Sequence, residues 1–236
     1  MLLFEMRNIS VKINNTNIIK NLSLTIRKGE FINIIGPSGS GKSTLLRLFN
    51  RLSSISSGEI YYCGKNLNET NPISLRKEVG YVFQKPYLFG EKAKENLEYP
   101  LSIHNIYLEK DYIFNMLRQL NLEQDILEKD CENLSGGEQQ RICLLRTLML
   151  KPKVLLLDEI TSSLDPVNTK IVEEFIVNIY NEFDVTIVLV THNIQQAKRM
   201  GKRTIFLEKG EILEDAETNS YFTGNKKEQI NRFFDK

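Results

Sequence analysis

The chain has 236 residues, 31 of them basic and 30 acidic, for a formal charge of +1 and a hydrophobic share of 41%. That balance argues against a broad electrostatic footprint for nucleic acid, and the length suffices for a substantial core, as one large domain or two subdomains. No apolar run approaches the roughly 20 residues that span a bilayer, and Met1-Leu2-Leu3-Phe4-Glu5 turns charged too early for a signal peptide, so a cytoplasmic chain is expected, reaching any membrane through a partner.

Residues 1–35 alternate short apolar runs with turn residues. Residues 9–13 and 22–26 have strand periodicity, separated by the turn cluster Asn14-Asn15-Thr16-Asn17. An antiparallel β layer is expected here, leading through Lys28-Gly29-Glu30 into the apolar run 31–35, which reads as a buried strand. Next comes Gly36-Pro37-Ser38-Gly39-Ser40-Gly41-Lys42-Ser43-Thr44, of the form G-x-x-x-x-G-K-[ST]. Glycines let the backbone wrap closely and point N–H groups at an anion, and the helix predicted over 45–50 turns its positive end the same way. Lys42 would reach the β- and γ-phosphates of a nucleotide and the Ser43 hydroxyl would ligate Mg²⁺. The alternative is an ordinary glycine-rich turn, but the strand–loop–helix order is the one the motif requires.

Residues 56–62 predict a turn and strand, and 79–83 a further strand ending at Gln84. From 85 to about 151 the pattern is helical, with Ile113, Met116, Leu117 and Leu120 on one core-facing side. Within it, Leu134-Ser135-Gly136-Gly137-Glu138-Gln139-Gln140-Arg141 contains a capping box, Ser135 with Glu138, opening a helix that Lys151-Pro152 stops. The segment reads as a well-capped helix or as a second anion site built on Ser135 and the N–H groups of Gly136 and Gly137. The run 154–157 resembles a central parallel strand, and Asp158-Glu159 follows at its end, the edge where α/β sheets hold ligands. Asp158 suits a Mg²⁺ contact; Glu159 would polarise an attacking water. Asp165 as N-cap and Pro166 at the first helical position begin another helix. Strands are expected at 185–190 and 204–207, and 226–236 reads as a terminal helix or loose tail. Cys63, Cys131 and Cys143 stand apart and read as buried apolar residues. The whole predicts an α/β fold: a P-loop core with a mostly parallel sheet, an antiparallel β layer and an inserted helical subdomain. The core would comprise 1–84 and 152–225, the helical subdomain 85–151.

The phosphate loop, Gln84, residues 134–140 and 154–159, Ser163-Leu164-Asp165 and His192 resemble, in order and spacing, the ATP-binding cassette (ABC) ATPases. The likeness spans nearly the whole chain, and the LSGGE segment is highly specific. It implies an ATPase that energises a membrane transporter, working as a head-to-tail homodimer in which each ATP lies between one phosphate loop and the partner's LSGGE segment. It further implies that residues 36–44 bind phosphates and that Ser43, Gln84 and Asp158 order Mg²⁺ and its waters. Glu159 would be the catalytic carboxylate, His192 would contact the γ-phosphate, Asp165 would lie at the subunit interface, and residues 135–138 would act in trans. The apolar segment Pro86, Tyr87, Leu88 and Phe89 is expected to receive a helix of an integral membrane permease, the alternative being internal packing between subdomains.

Two departures stand out. The family commonly stacks adenine on an aromatic, yet the corresponding position falls near Ile13 and no aromatic occurs between Phe4 and Phe31; weak base discrimination is expected. Ile160 follows the two acids where proline is common. With Tyr87-Leu88-Phe89-Gly90 this looks most like bacterial iron-export-type ABC ATPases, the alternative being the ATPase of a phosphate or amino-acid importer. A chromosome-maintenance or ribosome-associated ATPase is disfavoured: no heptad arm lies between Gln84 and Leu134, only one cassette is present, and no nucleic-acid partner is expected.

Overall fold

The first runs fold as strands β1 (Leu2–Ile13) and β2 (Thr16–Arg27), joined by a two-residue turn at Asn14 and Asn15, both with positive φ. Asparagine tolerates that conformation, and the mirror-image turn it permits matches strand twist. Both strands are longer than the periodicity predicts, because register shifts at Met6/Ile9 and Ile9/Val11 interrupt the alternation. The chain here, a computed structural model that describes residues 1–223, then enters β3 (Phe31–Ile35), buried at every position. Helix α1 (Lys42–Leu48) starts three residues before its predicted beginning at 45 and ends before 50, because Gly41, with φ 103°, serves as its N-cap. Strands β4 (Ser57–Tyr62) and β5 (Lys65–Asn66) return to the first layer, giving an antiparallel sheet of order β2-β1-β4-β5. Cys63 sits in the turn between them and is exposed, correcting the expectation of burial; Cys131 and Cys143 are buried.

After α2 (Pro72–Glu78) and β6 (Val79–Val82) come the helices α3 (Ala93–Ile103), α4 (Lys110–Gln119) and α5 (Gly136–Leu148). The chain continues through β7 (Val154–Asp158), α6 (Pro166–Glu182), β8 (Thr186–Val190), α7 (Ile194–Arg199), β9 (Arg203–Glu208), β10 (Glu211–Glu217) and α8 (Thr218–Thr223). The second sheet has the order β10-β9-β3-β8-β7-β6, parallel from β9 to β6 with β10 antiparallel at the edge. This is the predicted α/β architecture. The tail expected over 226–236 lies outside the described residues.

Side-chain alternation divides the core in two. Val154 and Leu156 of β7 point, with Ile32, Ile34, Val188 and Val190, toward the antiparallel layer and α1. Leu155 and Leu157 point the other way, with Ile187 and Leu189, onto helices α4, α5 and α6, where Met116, Leu117 and Leu120 are buried as expected. Each fully buried leucine contributes about 2 kcal/mol through area removed from water, so the sheet is packed on both faces. Among the described residues no helix is long and apolar enough to cross a membrane.

Candidate active site

Strands β3, β8, β7 and β6 are neighbours and run in the same direction, so their C-terminal ends form one edge. Gly36 follows β3, Gln84 lies two residues past β6, Asp158 closes β7 with Glu159 next, and His192 lies two residues past β8. The topology thus gathers at one edge residues that the chain scatters, the edge where open α/β sheets bind ligands.

Two of the loop's glycines answer to the protein's own packing. A Cβ on Gly36 would lie 2.0 Å from the Leu207 carbonyl oxygen, and one on Gly41 would lie 2.9 Å from Ile19 Cδ1. Gly39 differs: its φ is +77° and a Cβ there would meet nothing within 4 Å, so it keeps the open side of the loop clear. Lys42 Nζ donates to the carbonyls of Gly36 (2.9 Å) and Pro37 (3.0 Å) and lies 4.0 Å from Glu159 Oε1. Burial holds the Lys42 pKa below its ordinary value, with Glu159 and Asp158 partly opposing that. Ser40 Oγ is buried without a hydrogen-bond partner. A buried unpaired hydroxyl in a glycine-rich loop beside the Lys42 ammonium fits an anionic ligand.

Both Asp158 oxygens are engaged. Ser43 Oγ donates to Oδ1 at 2.8 Å, Tyr81 Oη donates to Oδ2 at 2.6 Å, and an Arg47 guanidinium nitrogen lies 3.9 Å from Oδ2. Burial, then the bond to Asp158, pushes the Tyr81 hydroxyl pKa well up, so it remains a donor. Glu159 has φ 49°, strained for a side chain of its size, and its N–H donates to the Val190 carbonyl at 3.0 Å. Its Oε2 accepts from Gln84 Nε2 at 3.0 Å and lies 3.0 Å from His192 Nδ1. Ile160, where a proline was the family expectation, is 1% exposed and packs into the helix-side core. The turn is therefore fixed by packing.

The LSGGE segment stands apart. Ser135 caps α5: its Oγ accepts from the Glu138 N–H at 3.2 Å and donates to Glu138 Oε2 at 2.7 Å, while its own N–H donates to the same oxygen at 2.8 Å. The Ser135 hydrogen bond, more than any other influence, holds the Glu138 pKa below the usual carboxylate value. Gly136 and Gly137 follow at the start of α5, Gly136 with no atom near a would-be Cβ and Gly137 with Leu164 Cδ2 at 3.4 Å. Asp165 caps α6 and accepts from Asn168, whose side-chain amide oxygen accepts from Arg141 of α5 at 2.7 Å. Among the described residues, no hydrogen bond joins residues 135–138 to residues 36–44.

Of the apolar segment after Gln84, Tyr87 is 73% exposed, whereas Leu88 packs against the helix-side core. Arg146 of α5 fixes the segment, donating to the Tyr87 carbonyl at 2.9 Å and lying 5.5 Å from the Phe89 ring centre. The sequence reading overlooked Tyr81, Arg47 and Arg146. Tyr81 was detectable: a tyrosine in a buried strand needs a partner for its hydroxyl.

The chain matches the family described as "ABC transporter" over residues 19–162. It is 40% identical to the phosphate import ATP-binding protein PstB 2 of Shouchella clausii, over 96% of this chain and 88% of that protein. It is 38% identical to the phosphate import ATP-binding protein PstB of Saccharolobus solfataricus, over 98% of this chain and 94% of that protein. A dimeric post-hydrolysis structure of the ATP-binding cassette MJ0796 bound to ADP and Pi superposes with a TM-score of 0.82 at 30% identity, covering 92% of this chain and 99% of that one.

Proposed function

The chain belongs to the ABC transporter family of ATPases, and from that premise we propose that it is the ATP-hydrolysing subunit of a phosphate importer. The cargo reading rests on the phosphate import relatives, which favour the importer alternative over the iron-export resemblance. Ile160, one basis for that resemblance, is a packing residue and bears on no cargo. Uptake of labelled phosphate by proteoliposomes holding this chain and its permease tests the proposal; ATP-driven metal efflux with no phosphate uptake contradicts it.

One observation carries the mechanism: the phosphate loop, Asp158, Glu159, Gln84 and His192 share an edge, while among the described residues the capped Ser135 site has no hydrogen bond to them. Two incomplete halves on one chain call for a second copy. In the proposed homodimer, ATP sits on residues 36–44 of one chain against Ser135, Gly136, Gly137 and Glu138 of the other, with Asp165 between them. Ser40 and Lys42 would hold phosphate oxygens. Ser43 and Asp158, a hydroxyl and a carboxylate already 2.8 Å apart, are the hard oxygen donors Mg²⁺ takes and would hold it, and Gln84 would order its waters. Bound there, Mg²⁺ would neutralise charge on the transferred phosphoryl group. Glu159 would orient and polarise the attacking water, with His192 and Gln84 setting its carboxylate.

No aromatic residue occurs between Phe4 and Phe31, the stretch in which the family's stacking ring would fall. Ile13, half exposed at the end of β1, stands where the spacing puts that ring, so adenine would gain apolar contact there and no stacking. The permease would dock on the Gln84 side, where Tyr87 projects and Pro86 and Phe89 flank it; Leu88 anchors the segment from within. That docking would hold the chain at the inner face of the membrane.

A further inference from the structure

The loops that deliver Glu159 and His192 meet a second time, away from the nucleotide. Gln196 of α7 is 2% exposed, and its Nε2 donates to Thr161 Oγ1 at 2.8 Å and to Glu173 Oε1 at 3.1 Å. Glu173 of α6, itself 7% exposed, accepts from Arg199 through both oxygens, at 2.9 and 3.1 Å. Thr161 is two residues past Glu159, and Gln196 is four past His192 on the helix that Asn193 caps. The network therefore ties the turn after β7, the middle of α6 and the first turn of α7.

A cleft of about 700 Å³ runs beside this network, lined among others by Glu159, Thr161, Glu173, His192 and Arg199. Side chains bordering open space gain no packing from that side, so these hydrogen bonds add to the β7–β8 pairing in fixing the spacing of the two loops. The buried Glu173 carboxylate, matched by the Arg199 fork, anchors the Gln196 amide; a free glutamine would sample several rotamers.

We infer that Gln196, oriented by Glu173 and Arg199, is a positioning residue that sets the Glu159–His192 geometry through Thr161. This rests on the reading of Glu159 as the catalytic carboxylate. Among the described residues, Thr161, Glu173, Gln196 and Arg199 make no hydrogen bond to residues 36–44, so the network acts on the chemical step through Glu159 and reaches ATP only by way of His192.

The test compares Thr161→Val, Thr161→Ser, Gln196→Leu and Glu159→Gln in the full chain, by steady-state ATPase kinetics and thermal melting. Thr161→Val keeps the shape and leaves Gln196 bonded to Glu173, so folding persists. The expected result is a kcat about tenfold lower with KM for ATP within about twofold of the parent, reproduced by Gln196→Leu. Thr161→Ser, which restores the acceptor, should return kcat to the parental range. Parental kcat in Thr161→Val and Gln196→Leu, beside an inactive Glu159→Gln, overturns the positioning role alone. A Thr161→Ser as slow as Thr161→Val overturns it as well, because the hydroxyl would then not be the cause. An active Glu159→Gln instead removes the catalytic reading beneath it.

Discussion

His192 Nδ1 lies 3.0 Å from Glu159 Oε2, the oxygen that also accepts the Gln84 amide at 3.0 Å. The catalytic candidate is thus held by groups from the loops that follow the strands on either side of its own, β6 and β8. Its other oxygen turns toward Lys42. A carboxylate so oriented before any ligand arrives loses little entropy when a water must be aligned.

Glu159→Gln keeps the size and hydrogen bonds of the side chain but not its basicity. The ATPase rate should fall at least about 100-fold while ATP still binds and drives dimer formation. Light scattering with and without ATP, beside a phosphate-release assay, checks both halves.

Tyr81→Phe strips Asp158 Oδ2 of its 2.6 Å donor and leaves Arg47 at 3.9 Å. Asp158 is 1% exposed, so urea denaturation should show a loss of about 1–3 kcal/mol. Half-saturation by Mg²⁺ in ATP binding should also rise several-fold, because the carboxylate is less firmly aimed. An unchanged midpoint and Mg²⁺ requirement would remove Tyr81 from the account.

Without a stacking ring, ATP and GTP should bind within about threefold of each other, under ~1 kcal/mol apart. Ile13→Tyr should tighten ATP by roughly 1 kcal/mol through base stacking. Fluorescent-nucleotide competition reads both; a strong ATP preference in the parent would mean the base is recognised elsewhere.

The Glu138 carboxylate is held below its usual pKa by Ser135, so it stabilises the fold above the unfolded-state value near 4.5 and loses that contribution as pH falls through the lower folded value. Glu138→Gln should therefore cost about 0.5–1 kcal/mol near pH 7 and progressively less below pH ~4.5. Melting curves across this range should converge at the acid end; a constant gap would assign the effect to packing.

Local signals in the sequence proved the most readable. The Ser135–Glu138 box, the Asp165 cap before Pro166 and the strand–loop–helix around Lys42 each depend on residues a few positions apart, and all appear in the structure. Pairings across the sheet were hidden. Tyr81 and Asp158 are 77 positions apart, and Gln196 meets Thr161 across 35; strand order alone brings them together. The bulged alternation of β1 concealed its length, and Cys63 was misplaced because composition does not reveal a turn. Ile160, which in sequence looks like a subgroup mark, fills the helix-side core with its side chain.

In the proposed dimer each ATP site is shared by two chains. Gly136→Asp tests it cleanly, because a Cβ there meets no atom within 4 Å and an acid in the first turn favours the helix. The variant should melt like the parent yet lack ATPase activity, its charge falling on the partner's nucleotide. Mixed in equal amounts with Glu159→Gln before ATP is added, it should regain up to about a quarter of parental turnover, since half the dimers hold one intact site. No recovery in a mixture whose mixed dimers are demonstrated, or full activity of Gly136→Asp alone, would contradict the shared site.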